Sequence, residues 1–323
     1  MYVVTGGAGF IGSAFVATLN EHELDEIYIV DELKESSKWR NLIGKRYADY
    51  FHKDDFLSHL LSGRFRGQLT GIIHMGACSS TTEQNGDYLM QNNYHYSKEL
   101  AKYCLENNVR LIYASSGAIY GDGSAGFLDD DSRVFDYRPL NRYGYSKQLF
   151  DQWVIQNDYQ NQVVGLRFFN VYGPNEYHKG SMKSVVYQAF HQAQKEGSIG
   201  LFRSYREDYA DGEQKRDFIY VKDCCEVMWW FLNNSQTNGI FNLGTGGARS
   251  WNDLAKSVFA ALGKKPSISY IEMPDNLIRQ YQYFTEAPME KLKNTGAPLP
   301  SHQLEQGVND YVQNYLMNSD RCM

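Results

Sequence analysis

The sequence predicts an α/β chain: a doubly wound parallel sheet with a smaller, mixed α/β C-terminal lobe. Three observations carry this. An apolar strand, Tyr2-Val-Val-Thr5, runs into a glycine turn; short apolar strands then alternate with amphipathic helices; and an acid, Asp31, closes the second strand nineteen residues beyond Gly12.

In the turn, Gly6, Gly7 and Gly9 permit a tight bend and close backbone approach, and Gly12 lets the next helix lie near the strand. Helical apolar spacing over Phe10 to Leu19 follows, and the unpaired N–H groups at that helix's N-terminus suit a pyrophosphate. With the strand Glu26 to Val30 and Asp31 in register, the unit reads as a Rossmann-like dinucleotide site. Asp31 would hold a ribose 2′-OH and favour NAD, whereas Lys38 and Lys53 could neutralise a 2′-phosphate and favour NADP; the residues alone leave both open.

Asp49 to His52 closes a third strand, Asp54 to Leu61 makes a short helix, and Gly71 to Met75 a fourth strand. The small residues after it, Gly76-Ala-Cys-Ser-Ser80, would admit a cofactor at the sheet edge, with Cys78 read as packing rather than as a nucleophile. A long helix spans Asp87 to Asn107, whose Asn92, Asn93 and Tyr96 either face solvent or send one side chain to the site. Arg110 to Ser116 is a fifth strand ending in two serines at the carboxyl edge, where open α/β sheets do their chemistry. Tyr143 and Lys147 are i and i+4 on a helix running to Tyr159, hence on one face. An ammonium there and a cationic cofactor ring would lower the phenol's pKa, and Ser116 could hold a substrate hydroxyl.

The second half supplies a strand from Gln162 to Phe168, a helix from Val221 to Asn233 with packing tryptophans Trp229 and Trp230, and a strand and turn from Gly239 to Gly246. Gly244-Thr-Gly246 imitates a phosphate turn but is read as scaffold. Ser250 and Asp253 form a capping box for a helix to Leu262, and Leu304, Val308, Tyr311, Val312 and Tyr315 form one buried helical stripe. Residues 317–323 are expected to fray. The expected division is 1–170 plus about 217–245 for the cofactor domain and about 171–216 plus 246–323 for the substrate lobe.

Composition narrows the partners. The 323 residues suffice for a full sheet and a second lobe, and a net charge of −6 argues against nucleic acid and anionic lipid, leaving small molecules. Five cysteines in no C-x-x-C or zinc-finger spacing read as reduced thiols with no metal site. A strand beginning at residue 2 leaves no room for a signal peptide, and no apolar run reaches a membrane span's ~18 residues, so a cytoplasmic chain is expected.

The glycine turn, Ser115-Ser116 before Tyr120-Gly121, and Tyr143-x-x-x-Lys147 resemble the extended short-chain dehydrogenase/reductase superfamily. Within it, Ala77-Cys-Ser-Ser-Thr-Thr-Glu83, Glu176-Tyr-His-Lys-Gly-Ser-Met182, Lys215-Arg-Asp-Phe218 and Arg279-Gln-Tyr-Gln-Tyr-Phe-Thr285 are similar to the ADP-L-glycero-D-manno-heptose 6-epimerase family over nearly the whole chain. That resemblance implies inversion of C6 in an ADP-linked heptose, a precursor of the lipopolysaccharide inner core, with Tyr143 and Lys179 as acid/base groups, Ser116 polarising the oxygen and Lys147 holding the nicotinamide ribose.

By the same resemblance, cofactor contacts fall on Gly6, Gly9, Phe10, Ile11, Gly12, Asp31, Glu32, Lys38, Lys53, Met75, Gly76, Ala77, Cys78, Ser79, Asn92, Lys147, Val171 and Lys179, which favours NADP over NAD. Substrate contacts fall on Ser116, Asn170, Ser181, Gln188, Phe202, Arg203, Ser204, Tyr205, Arg216 and Tyr281, Arg216 offering a guanidinium fork to a diphosphate. A homo-oligomer is expected. Glu32 and Met75 depart from the family pattern, which has asparagine and glutamate there, and an acidic loop from Glu207 to Glu213 precedes Arg216. The rivals are a 4-epimerase or dehydratase using NAD and a non-catalytic nucleotide-sugar sensor; Gly117-Ala118 lacks the Asp-Glu pair of a dehydratase, and the intact Ser116, Tyr143 and Lys147 speak against a sensor.

Overall fold

The computed structural model describes residues 1–278, 281–319 and 321–323, so Arg279 and Gln280 of the Arg279–Thr285 motif lie outside the described residues. Its first half alternates β1 (Tyr2–Thr5), α1 (Phe10–Glu21), β2 (Ile27–Asp31), β3 (Asp49–His52), α2 (Lys53–Leu61), β4 (Gly71–His74), α3 (Gly86–Leu89), α4 (Tyr96–Asn107), β5 (Arg110–Ser116), α5 (Arg142–Gln156) and β6 (Val164–Phe168). The second half contains β7 (Asn170–Tyr172), α6 (Val185–Lys195), β8 (Ile199–Phe202), β9 (Lys215–Arg216), β10 (Phe218–Tyr220), α7 (Val221–Asn233), β11 (Gly239–Leu243), β12 (Arg249–Ser250), α8 (Trp251–Ala261), β13 (Ile268–Ile271), α9 (Asp275–Ile278), α10 (Glu290–Lys293) and α11 (Leu304–Tyr311).

Seven strands form one parallel sheet in the order β11-β6-β5-β4-β1-β2-β3. A parallel sheet is covered on both faces, which is why its strands read as continuous apolar runs rather than alternating ones. Adjacent Val3 and Val4, both fully buried, point to opposite faces: Val3 packs with Phe56, Leu100 and Phe150, and Val4 with Phe15, Val227 and Phe231. The second of these cores continues from α1 and α7 into α6, α8 and α11, the region expected to form the substrate lobe. The chain winds outward from β1 to β3 and then returns to β4 on the other side of β1, so a crevice opens beyond the carboxyl ends of β1 and β4.

Two local features differ from the sequence pattern, and the structure adds detail to a third, the turn read as scaffold. The helix predicted over 87–107 is interrupted by a π-helical segment, Met90–His95, between α3 and α4. The wider turn swings Asn93 beneath the site, where its amide accepts from Cys78 N and donates to Cys78 O and Ser146 Oγ. Where a frayed end is predicted over 317–323, Met323 N donates to Asn175 Oδ1 at 3.0 Å and the Tyr177 hydroxyl donates to the Arg321 carbonyl. The Gly244–Gly246 turn does bind an anion, but an internal one: the buried Asp217 carboxylate accepts from Thr245 N, Thr245 Oγ1, Gly246 N and Ala287 N at 2.7–3.0 Å. The capping box at Ser250 and Asp253 forms as the spacing predicts, and Trp229 stacks on His22 at 3.9 Å.

Asp217→Ala would strand these donors in the interior, with an expected loss of about 3 kcal/mol of stability. Equilibrium urea unfolding checks this, and a midpoint equal to the parent's would contradict it.

Candidate active site

The glycine turn is shaped to admit a phosphate. Gly6 has φ +63°, and a Cβ there would sit 2.7 Å from Gly76 N; a Cβ on Gly12 would run into the Gly6 carbonyl oxygen. Gly9 caps α1 without a side chain, so the helix's first N–H groups have no side-chain acceptor. Asp31 accepts from Ala8 N at 2.9 Å, from Glu32 N at 2.7 Å and from Lys38 Nζ at 2.6 Å, fixing both the turn and the loop beyond β2.

A cavity of about 460 Å³ extends from this turn across the sheet edge. Gly6, Gly9, Phe10, Ile11, Gly12, Asp31 and Lys38 line one end, and Met75, Gly76, Ala77, Cys78, Ser79 and Val171 its walls. Ser116, Tyr143, Lys147 and Lys179 line the same cavity, although Lys179 is 63 positions from Ser116 and belongs to the other half of the chain. These features fit a dinucleotide: a cradle that any Cβ would fill, an open helix N-terminus, and an acid and a lysine beyond it.

Local structure explains how the reactive groups arrive. Asn141 caps α5 by accepting from Gly144 N at 2.8 Å, which sets Tyr143 and Lys147 on the first turns facing the cavity. Ser116 ends β5, and its hydroxyl also accepts from Ala118 N at 3.1 Å. Lys147 Nζ donates to the Ala114 carbonyl at 2.8 Å. Lys179 Nζ lies 5.3 Å from the centre of the Phe10 ring.

The expected lowering of the phenol includes the charge of a bound cofactor ring. In the ligand-free protein Tyr143 is pushed above its ordinary range by burial, with the Ser116 hydroxyl pulling the other way. Burial depresses Lys147 to about 8 against the pull of Asp151, and depresses Lys179 against the pull of Glu176. The Lys147 ammonium spends its contact on a carbonyl rather than on the phenol, so Tyr143 gains nothing from it here. Burial also raises the Cys78 thiol, which disfavours the thiolate a nucleophile would need.

A second cavity, of about 250 Å³, meets the first at Ser116, Tyr143, Phe168 and Phe169 and adds Thr81, Asn170, Gln282 and Thr285. Other expected contacts lie outside both. Lys53 Nζ is 2.7 Å from Asn92 Oδ1, and Glu32 pairs with Lys34 at 3.1 Å. Ser181 and Gln188 are exposed. Arg203 and Tyr205 engage Glu272, and Ser204 N donates to Asp211. Phe202, Tyr281 and Arg216 do come together: Arg216 is buried, its guanidinium 5.3 Å from the Tyr281 ring and 5.6 Å from that of Trp251, and it donates to the carbonyls of Lys215 and Gln282. Among the described residues it has no carboxylate partner, leaving its charge for an anion. Sequence reading did not single out Gln282, Thr285, His178 or Met182 as contacts, although all four lie inside motifs it quoted, Arg279–Thr285 and Glu176–Met182; Asn93 was one of three polar residues left open between solvent and the site.

Among the described residues, no helix is long and apolar enough to cross a membrane, and no cluster of three or more His, Cys, Asp or Glu could hold a metal.

The NAD dependent epimerase/dehydratase family matches residues 2–244. A relative in Nitratidesulfovibrio vulgaris (strain DP4), named ADP-L-glycero-D-manno-heptose-6-epimerase, is 54% identical over 320 residues, 99% of each chain. The crystal structure of the Helicobacter pylori ADP-L-glycero-D-manno-heptose-6-epimerase superposes with a TM-score of 0.82 at 29% identity, covering 97% of this chain and 95% of that one. The Thermus thermophilus UDP-glucose 4-epimerase, in complex with NAD, superposes with a TM-score of 0.74 at 25% identity, covering 96% and 97%.

Two outcomes follow from this geometry. Gly12→Ala should yield folded protein that retains no nucleotide through purification, read by absorbance of the released ligand; a normal nucleotide load would contradict the cradle. For Lys147, a folded pKa near 8 lies below the ordinary 10.5, so the ammonium costs stability below about 8 and the cost fades as pH rises toward 10.5. The difference in melting temperature between ligand-free Lys147→Met and the parent should therefore favour the variant most at pH 7 and decline toward pH 10, as thermal unfolding across that range would show.

Proposed function

Because this chain belongs to the NAD dependent epimerase/dehydratase family, we propose that it inverts C6 of the heptose in ADP-D-glycero-D-manno-heptose to give the L-glycero epimer, a step toward the lipopolysaccharide inner core. Near-complete coverage at 54% identity by a relative so named supports the substrate. The observation that carries the mechanism is that Ser116, Tyr143, Lys147 and Lys179 line one cavity contiguous with the glycine turn.

The nicotinamide, when bound, supplies a reversible hydride store, so that the sugar carbon is oxidised and reduced with no net redox. The protein supplies the proton handling. The Ser116 hydroxyl holds the sugar oxygen, and Tyr143 exchanges the hydroxyl proton through its phenolic oxygen. Lys179, on the loop from the other half of the chain, serves as the acid/base on the opposite face. Its burial suits that role, because a depressed amine exchanges a proton near neutral pH more readily than a solvated lysine does. Lys147 holds the nicotinamide ribose. The second cavity, with Asn170 at its wall, takes the sugar, and Arg216 takes the diphosphate.

NADP is the favoured nucleotide: Lys38 lines the adenosine end, and Lys53 lies close to Glu32 in the same loop region. A cytoplasmic homo-oligomer remains part of this reading. Gly117-Ala118 after the serine gives a dehydratase no acid pair.

The test is incubation of purified protein with ADP-D-glycero-D-manno-heptose and analysis of C6 configuration. Tyr143→Phe and Lys179→Ala should each lower kcat by about 10²- to 10⁴-fold with nucleotide still bound. Wild-type rates in either variant would remove that residue from the mechanism, and mass spectrometry of the released nucleotide decides NADP against NAD.

A further inference from the structure

We infer that Asn175 is a positioning residue that bonds the loop carrying Lys179 to the glycine turn and α1, so that the second acid/base group is set by the same element that receives the cofactor's phosphates. This rests on the roles proposed above for Lys179 and the turn.

Asn175 is fully buried and has φ +77°, a left-handed conformation that a side-chain-bearing residue rarely holds unless its surroundings over-determine it. Here they do. Its amide Nδ2 donates to Ser13 Oγ at 2.9 Å, and Ser13 Oγ donates in turn to the Gly9 carbonyl at 2.5 Å, the residue that caps α1. Its carbonyl accepts from Asn41 Nδ2 at 2.9 Å, and the same Asn41 nitrogen donates to the Ala8 carbonyl at 3.0 Å. Two separate routes therefore run from the turn, at Ala8 and at Gly9, to one residue of the loop.

From Asn175 to Lys179 there is little slack. Lys179 N donates to the Glu176 carbonyl at 3.1 Å, closing a turn. The buried Glu176 carboxylate accepts from Gly173 N at 3.4 Å and from Ser184 Oγ at 2.7 Å, tying together the loop's two ends. Lys179 then reaches back over Phe10, the first residue of α1. The loop is thus a short clasp anchored on α1 at Ser13, with its ammonium on α1 at Phe10, and a small displacement at the anchor moves the amine. A misplacement of about 1 Å at a reacting group can cost about 10²-fold in rate, so an anchor this close matters to turnover.

A role confined to stability is separated by measuring kcat in two backgrounds. Asn175→Gly keeps the left-handed backbone accessible and removes the amide. In the parent it should lower epimerisation kcat by about tenfold or more, leave the sugar KM within about threefold, and retain bound nucleotide. In Lys179→Ala it should change the residual rate by less than about twofold, because the group it positions is gone. Equal losses in the two backgrounds, or an unchanged kcat in the parent, would overturn the inference. Should Asn175→Gly not fold, Ser13→Ala, which removes the acceptor of the Asn175 amide together with its own link to the Gly9 carbonyl, goes through the same comparison with the same expected pattern. If the parent itself fails to epimerise the sugar, the reading beneath fails instead; a crystal structure of either variant then decides the positional claim, and Lys179 still over the Phe10 ring would refute it.

Discussion

The Asp151 carboxylate joins the elements on which the reactive groups stand. It lies on α5, one turn beyond Lys147, and accepts from Ser115 Oγ at 2.9 Å, from Tyr113 Oη at 3.0 Å and from Arg167 Nε at 2.9 Å. Tyr113 and Ser115 belong to β5, which ends in Ser116; Arg167 belongs to β6, next to the Phe168 and Phe169 shared by both cavities. Asp151 and Arg167 are completely buried. Such a pair adds little net stability over apolar packing, yet removal of one partner typically costs about 3–5 kcal/mol, because the other charge is left bare. The pair is therefore better understood as a register device: helix, central strand and neighbouring strand share one carboxylate, and a slide of any one breaks several bonds at once.

The same burial that secures the scaffold loads the site with unfavourable charge. Lys147 and Lys179 are both held below the ordinary lysine range, and Arg216 is buried beneath aromatic rings and donates to two backbone carbonyls. Tyr143 is displaced the other way, toward the neutral phenol. Each shift has one direction in common: the interior disfavours the charged form until a ligand brings the opposite charge. Phosphates at the turn and at Arg216 would relieve the cations, while a cationic ring would favour phenolate. The ligand-free protein thus holds these groups against their charged forms, at a cost in stability for the buried cations that binding offsets.

Much of the cofactor half was legible in the sequence because its signals are local. Strand, glycine turn, helix and terminal acid occupy thirty-one residues, and Gly6, Gly7 and Gly12 each answer a contact that a Cβ would violate. The Tyr143 and Lys147 pair was legible for the same reason, being one helical turn apart. What was not legible depends on register at long range. Nothing in the sequence marks the π-helical segment that brings Asn93, rather than Asn92, beneath Cys78. The Gly244–Gly246 turn, read as scaffold, is scaffold, but the sequence does not show that Asp217 is the group that fills it. Spacing places Lys147 near Tyr143 but cannot reveal that its ammonium donates to the Ala114 carbonyl in the ligand-free protein.

A common chemistry runs through the residues that join the segments. Asn41, Asn93 and Asn175 each place a primary amide between segments that share no sheet hydrogen bonds, Asn41 and Asn93 pairing buried backbone groups and Asn175 the Ser13 hydroxyl. Charged side chains could not do this without a partner, and apolar ones would leave the backbone unpaired. The amide is also uninformative in a sequence, being as common in solvated loops as in such joints. A site assembled from both halves of the chain needs its loops fixed against the sheet without adding charge beside two depressed lysines, and neutral amides meet that requirement. The reactive residues were recognisable by their chemistry, whereas the residues that hold them in place were chosen for having almost none.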